Sequence, residues 1–106
     1  MKYIISGEQA KQMEEIINDR IEGELNSIRT ESEDWGLGEM DEIEEINSIE
    51  KIVIDRIKFK KGIKVYVNLY VNSDRDEFYN VISTISDGIS TWIPDVELKI
   101  NKIVRI

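Results

Sequence analysis

Between Glu31 and Glu50 stand nine carboxylates and no basic residue: Glu31, Glu33, Asp34, Glu39, Asp41, Glu42, Glu44, Glu45 and Glu50. Carboxylates at this density can steer a cationic protein, mimic the charge of a nucleic acid, or ligate a divalent cation. They also repel one another, which costs stability unless a basic group lies nearby. The spacing does not fit an EF-hand, because no glycine punctuates a twelve-residue loop of oxygen donors. No metal site is therefore expected. A solvated face that keeps the chain soluble and a docking surface for a basic protein explain the block about equally well. In the docking case Trp35, beside Gly36-Leu37-Gly38, is the natural anchor. Asp34, Glu39, Asp41, Glu42 and Glu45 are then the candidate partner-binding residues around it. The plainer role for Trp35 is a core residue folded under its loop.

Most other chemistries lack their residues. The chain has no histidine and no cysteine. It thus lacks the usual general base near neutral pH, the commonest metal ligand and every thiolate site. Gly36-Leu37-Gly38 lacks the third glycine and the preceding strand of a phosphate-binding turn. Asp74-Arg75-Asp76 reads as a helix cap before it reads as a metal cluster. No catalytic residue and no cofactor is expected. An ion-dependent enzyme using Asp74 and Asp76 is a distant third reading.

Two further surfaces merit attention. Arg56, Lys58, Lys64, Tyr66 and Tyr70 fall on the outward positions of a hairpin and interleave cations with aromatics. Such faces sometimes grip single-stranded RNA. Here an ordinary polar sheet face, a small anionic ligand, or the acidic end of a second copy fits better. The polar side of the third helix carries small hydroxyl residues, Ser83 and Ser90 among them, where Lys and Glu would be usual. That predicts close approach of another backbone and a self-association contact.

The positioning elements follow from periodicity. Lys2–Ser6 reads as a strand. Met13, Ile16, Ile17, Ile21, Leu25 and Ile28 predict a helix from about residue 7 to 29, followed by a polar loop over 30–39. Met40, Ile43, Ile46 and Ile49 predict a short helix with Asp41, Glu42, Glu44 and Glu45 outward. Val53, Ile57 and Phe59 alternate on one strand, with Asp55 as the exception. Ile63, Val65, Val67, Leu69 and Val71 alternate on the next. The three-residue loop Lys60-Lys61-Gly62 keeps both apolar faces together, with Gly62 left-handed. Ser73 or Asp74 is the expected cap of a third helix whose stripe is Phe78, Val81, Ile82, Ile85, Ile89 and Trp92, ended by Pro94. Val96, Leu98, Ile100, Val104 and Ile106 alternate on a last strand interrupted by Lys102. The whole predicts one α+β domain over residues 1–106. Its expected form is a ferredoxin-like βαββαβ sandwich with an extra short acidic helix between the first helix and a central β-hairpin.

Composition bounds the partners. The net charge is −8, with fifteen acidic and four basic residues in 1–50 against seven and ten in 51–106. That balance argues against direct nucleic-acid binding and for a basic protein partner or head-to-tail self-association. The longest apolar runs are too short for a membrane span or a secretion signal, and the absence of cysteine fits a cytoplasmic setting. The isoleucine-rich, alanine-poor usage is that of an AT-rich coding sequence, such as a low-GC bacterium or its phage.

Tyr3 through Gln9, ending in Ser6-Gly7-Glu8-Gln9, resembles the strand-to-helix opening of the barstar family of ribonuclease inhibitors. The acidic, Trp- and Gly-bearing segment before a second helix resembles that family too. The resemblance covers under half the chain, and the long hairpin departs from the family's parallel sheet. It implies that carboxylates among Asp34, Glu39, Asp41 and Glu42 face a basic active site. The expected function is therefore a small acidic inhibitor, immunity or antitoxin-type protein that neutralises a basic partner through residues 31–50. The alternative is a homo-oligomeric module that binds a small ligand or serves structurally.

Overall fold

The structure is a computed structural model that describes the backbone of residues 7–35 and 40–106 and the side chains of residues 8–30 and 44–106. The expected first strand, 2–6, and the Gly pair at 36–38 lie outside the described residues. The order of elements is α1 (Gly7–Trp35), α2 (Met40–Ser48), β1 (Ile49–Lys58), β2 (Ile63–Val71), α3 (Tyr79–Ser90) and β3 (Val96–Arg105). The fold is α+β, with a three-stranded mixed sheet in the order β1-β2-β3.

β1 and β2 run antiparallel, while β2 and β3 are parallel and joined through α3. A ferredoxin-like sheet would hold the N-terminal strand between the last two strands of its split βαβ unit. Here β2 and β3 bond to each other directly, so that arrangement is not what the described strands form. A parallel pair needs a crossover long enough to hold a helix, and α3 supplies it.

One sheet face carries the core. Val65, Val67, Leu69 and Val71 of β2 are buried, as are Ile49 and Ile52 of β1 and Val96 and Leu98 of β3. Ile17, Ile21, Leu25 and Ile28 of α1 and Val81, Ile82, Ile85 and Ile89 of α3 cover that face. The other face is free of helices among the described residues.

Bulges explain where the simple alternation fails. On β1 the register steps past Glu50 and Asp55, so Ile49, Ile52, Ile54 and Ile57 all face the core. Val53, expected inward, pairs with Asn68 on the open face and is 37% exposed. On β3 the register steps past Asn101, which brings Ile103 opposite Leu69 and puts Val104 outward beside Tyr70. Lys102 is thus no interruption but an outward residue opposite Asn68. The hairpin register Lys58↔Lys64 is the one a three-residue loop dictates, with Lys61 at φ 55 and Gly62 at φ 112. A side chain at Gly62 would also crowd the Asp95 carbonyl at 3.1 Å.

Helix ends differ from expectation. α1 continues to Trp35, through residues 30–35 that were expected to be loop, and those six residues contain neither Gly nor Pro to break it. α3 begins at Tyr79, and neither Ser73 nor Asp74 caps it. Its N-terminal donor is met from elsewhere, since the Val81 N–H donates to Glu45 Oε2 at 3.1 Å. Trp92 lies beyond α3 in the following turn, 63% exposed, with Arg20 of α1 over its ring at 4.4 Å.

Candidate functional site

Two charged surfaces face opposite ways. The open sheet face is built in cross-strand rows set by the register: Lys58-Lys64-Glu97, Arg56-Tyr66-Lys99, Val53-Asn68-Lys102 and Lys51-Tyr70-Val104. All five hairpin residues singled out by sequence, Arg56, Lys58, Lys64, Tyr66 and Tyr70, meet there. Lys51, Lys99 and Lys102 join them, although alternation alone had not marked them out. Of the chain's 14 basic and 22 acidic residues, six cations lie on this face against two carboxylates, Asp55 and Glu97.

Four of the six cations lie against a ring or a carboxylate of the same face. Lys51 lies 4.6 Å from the Tyr70 ring, Arg56 lies 4.6 Å from Tyr66, and Lys58 approaches Tyr66 at 5.4 Å. Each such contact contributes about 0.5–1 kcal/mol at an exposed site. Arg56 also pairs with Asp55 at 3.2 Å and Lys99 with Glu97 at 3.5 Å. The bulge residues Asp55 and Asn101 form a polar row with Asn68 of the central strand, in which Asn101 Nδ2 donates to Asn68 Oδ1 at 2.8 Å and Asn68 Nδ2 donates to Asp55 Oδ1 at 3.5 Å. Asn68 is only 8% exposed, so this row is part of the sheet's packing. The tyrosine rings carry cations on their faces, an arrangement unlike the free stacking platforms that single-stranded nucleic acids use.

The opposite, helical side is acidic. Glu8, Glu15, Asp19 and Glu22 of α1 are exposed. Glu15, Asp19 and Glu22 stand at i, i+4 and i+7, which places them on one outward line. Glu14, Glu15 and Asp19 also line a groove with Asn18, Val53 and Ile54, between α1 and β1. None of these carboxylates joins an ion pair among the described residues. Like charges at such spacing cost about 0.2–0.5 kcal/mol per pair. The last turn of α1 has no basic residue to oppose the helix dipole. The spacing of Glu15, Asp19 and Glu22 is legible in the sequence, at a lower density of charge than the block at 31–50.

That block is divided. The side chains of Asp34, Trp35, Glu39, Asp41 and Glu42 lie outside the described residues. Glu44 binds Arg75 at 2.9 Å, and Glu50 accepts from Asn72 at 2.6 Å. Glu45, expected on the outer face of α2 as a partner-binding residue, is instead 1% exposed and committed to the start of α3. A carboxylate at a helix N-terminus is stabilised by the orphan N–H groups and the dipole, which is what draws it inward.

The hydroxyl side of α3 is a separate surface. Ser83 and Ser90 are half-buried, and the Ser90 hydroxyl donates to the Asp87 carbonyl at 2.9 Å. Ser86 turns toward the sheet and accepts from the Leu98 N–H at 3.1 Å. Asp76 pairs with Arg105, which also reaches the Asp74 carbonyl at 3.3 Å, so this triplet ties the α3 approach to β3. Among the described residues no group of three His, Cys, Asp or Glu side chains is placed to hold a metal ion. No described helix is long and apolar enough to cross a membrane. Comparison with known protein families, curated proteins and solved structures found no match to this chain.

Proposed function

We propose that this chain is a non-catalytic binding module of the inhibitor, immunity or antitoxin type, possessing an acidic helical layer that takes up a basic protein. The observation that carries the reading is the division of charge between the two sides. Lys51, Arg56, Lys58 and Lys99 on the sheet face lie against neighbouring rings or carboxylates, whereas Glu15, Asp19 and Glu22 of α1 join no ion pair among the described residues. A basic partner would relieve that repulsion and be steered by it. The docking surface of this reading comprises Glu15, Asp19 and Glu22 together with the carboxylates expected from the sequence over 31–43, and it excludes the buried Glu45. Capture from native lysate tests this with three baits. The native chain and a Lys51→Glu/Lys102→Glu variant should retain the same basic protein, and a Glu15→Lys/Asp19→Lys/Glu22→Lys variant should lose it. Equal recovery on all three removes the acidic layer from the account.

The second reading is a homo-oligomeric ligand-binding or structural module. The concentration of six cations on one face of a chain with net charge −8 favours it. A mass that rises with concentration, or a small anion retained through purification, would distinguish it from the first.

A further inference from the structure

We infer that the open sheet face is a docking surface for the acidic α1 stripe of a second copy of this chain. The inference uses the same acidic layer as the function proposed above, but does not depend on any foreign basic protein. The two surfaces are complementary in sign and are different patches of one molecule, so a contact that joins one to the other is head-to-tail. Their spacings also match. Glu15 and Glu22 are separated by about 10 Å along the helix axis at ~1.5 Å per residue. Arg56 on β1 and Lys99 on β3 flank Tyr66 in one row, and two strand spacings put them about 10 Å apart. A helix laid across the strands thus sets carboxylates over the cations of both outer strands. Asp19 then falls between them, above Tyr66. Lys51, Lys58 and Lys102 are exposed and Lys99 is half-buried, so their ammonium groups are open to an incoming carboxylate. The tyrosines, already overlain by cations, leave carboxylate as the better ligand than a nucleotide base.

A head-to-tail contact that does not close into a ring extends without limit. Self-association would therefore cover both surfaces at once, and a basic partner would compete with the sheet face for the stripe. The test uses full-length chains and needs no third molecule. Variant S carries Lys51→Gln, Arg56→Gln and Lys99→Gln; variant H carries Glu15→Gln, Asp19→Asn and Glu22→Gln. Sedimentation velocity of the native chain should show mass rising with concentration at about 10 mM salt and falling to monomer near about 1 M, as the screening length shrinks. S alone and H alone should be monomeric. Their mixture should form a one-to-one dimer, because each retains the surface the other has lost. Far-UV dichroism of S and H, unchanged from native, shows that loss of assembly is not loss of fold. A native chain that stays monomeric at low salt overturns the inference, and so does an S–H mixture that does not associate. If the native chain is monomeric yet its sheet-face amides shift on adding polyphosphate, the face belongs to a different anion and the inference likewise fails. Loss of basic-protein capture with the S–H dimer intact would fault the proposed function alone.

Discussion

The basic sheet face and the acidic helical layer carry charge in different ways. On the sheet, four of the six cations sit beside a group that stabilises them: Lys51 by Tyr70, Arg56 by Tyr66 and Asp55, Lys58 by Tyr66, and Lys99 by Glu97. On α1, Glu15, Asp19 and Glu22 follow one another at helical spacing with no cation among them. Most sheet cations thus have a neighbour within the molecule, while Glu15, Asp19 and Glu22 join no ion pair among the described residues. Glu45 behaves like the first group despite its place in the acidic block, since it is buried against the start of α3.

Glu45→Ala should give the largest effect among single substitutions. It leaves the Val81 N–H without its acceptor beside a buried site, at a cost of about 2 kcal/mol. Chemical denaturation should show the loss, and Glu45→Gln, which keeps an acceptor oxygen, should recover part of it. An unchanged midpoint for Glu45→Ala would return this residue to the outer surface. Gly23→Ala should stabilise by about 0.5–1 kcal/mol, since a Cβ there meets nothing within 4 Å and the helix gains its preferred residue. That gain should be independent of salt and leave partner binding unaltered. Asp19→Lys should stabilise by about 0.5 kcal/mol at low ionic strength, turning two repulsive neighbours into attractive ones. Its benefit should fade as salt is added, and partner binding should weaken. The pair therefore sharpens the comparison, because both substitutions favour the helix and only one touches the acidic layer. Lys51→Met should be the mildest, costing under about 1 kcal/mol through the lost ring contact, with no change in capture of a basic protein. A larger cost would mean that the sheet cations hold more of the fold than their neighbours suggest.

Local pattern carried much of the architecture. Strict alternation in Ile63–Val71 and a three-residue loop ending in Gly62 set the hairpin register, and Lys58↔Lys64 follows from them. The buried stripes of α1 and α3 were visible at helical spacing. What alternation could not show is an inserted residue. Asp55 and Asn101 each add one position to a strand, so Val53 and Val104 turn outward although their types suit the core. The compensating signal was present in the wider gap from Ile54 to Ile57 and from Ile100 to Ile103. The cap of α3 was beyond any local reading, because its acceptor is 36 residues away on α2. Ser73 and Asp74 have the right chemistry for a cap, but Arg75 and Arg105 hold the segment around them in an irregular path. Trp92 has the spacing of the α3 stripe but follows the end of the helix, where the stripe no longer points inward. For the site, the sheet cations were readable as outward positions once the strands were placed. The α1 stripe was readable by counting, yet that Glu15, Asp19 and Glu22 join no ion pair among the described residues is visible only in the packing.

The most direct measurement is calorimetric titration of the captured basic protein into the native chain and into the Glu15→Lys/Asp19→Lys/Glu22→Lys variant, each at low and high salt. The acidic-layer account predicts at least a tenfold weaker affinity for the variant at low salt, and a native affinity that falls with salt while the variant's does not. Equal affinities for the two chains, with binding lost instead on Lys51→Glu/Lys102→Glu, would contradict it and move the interface to the sheet.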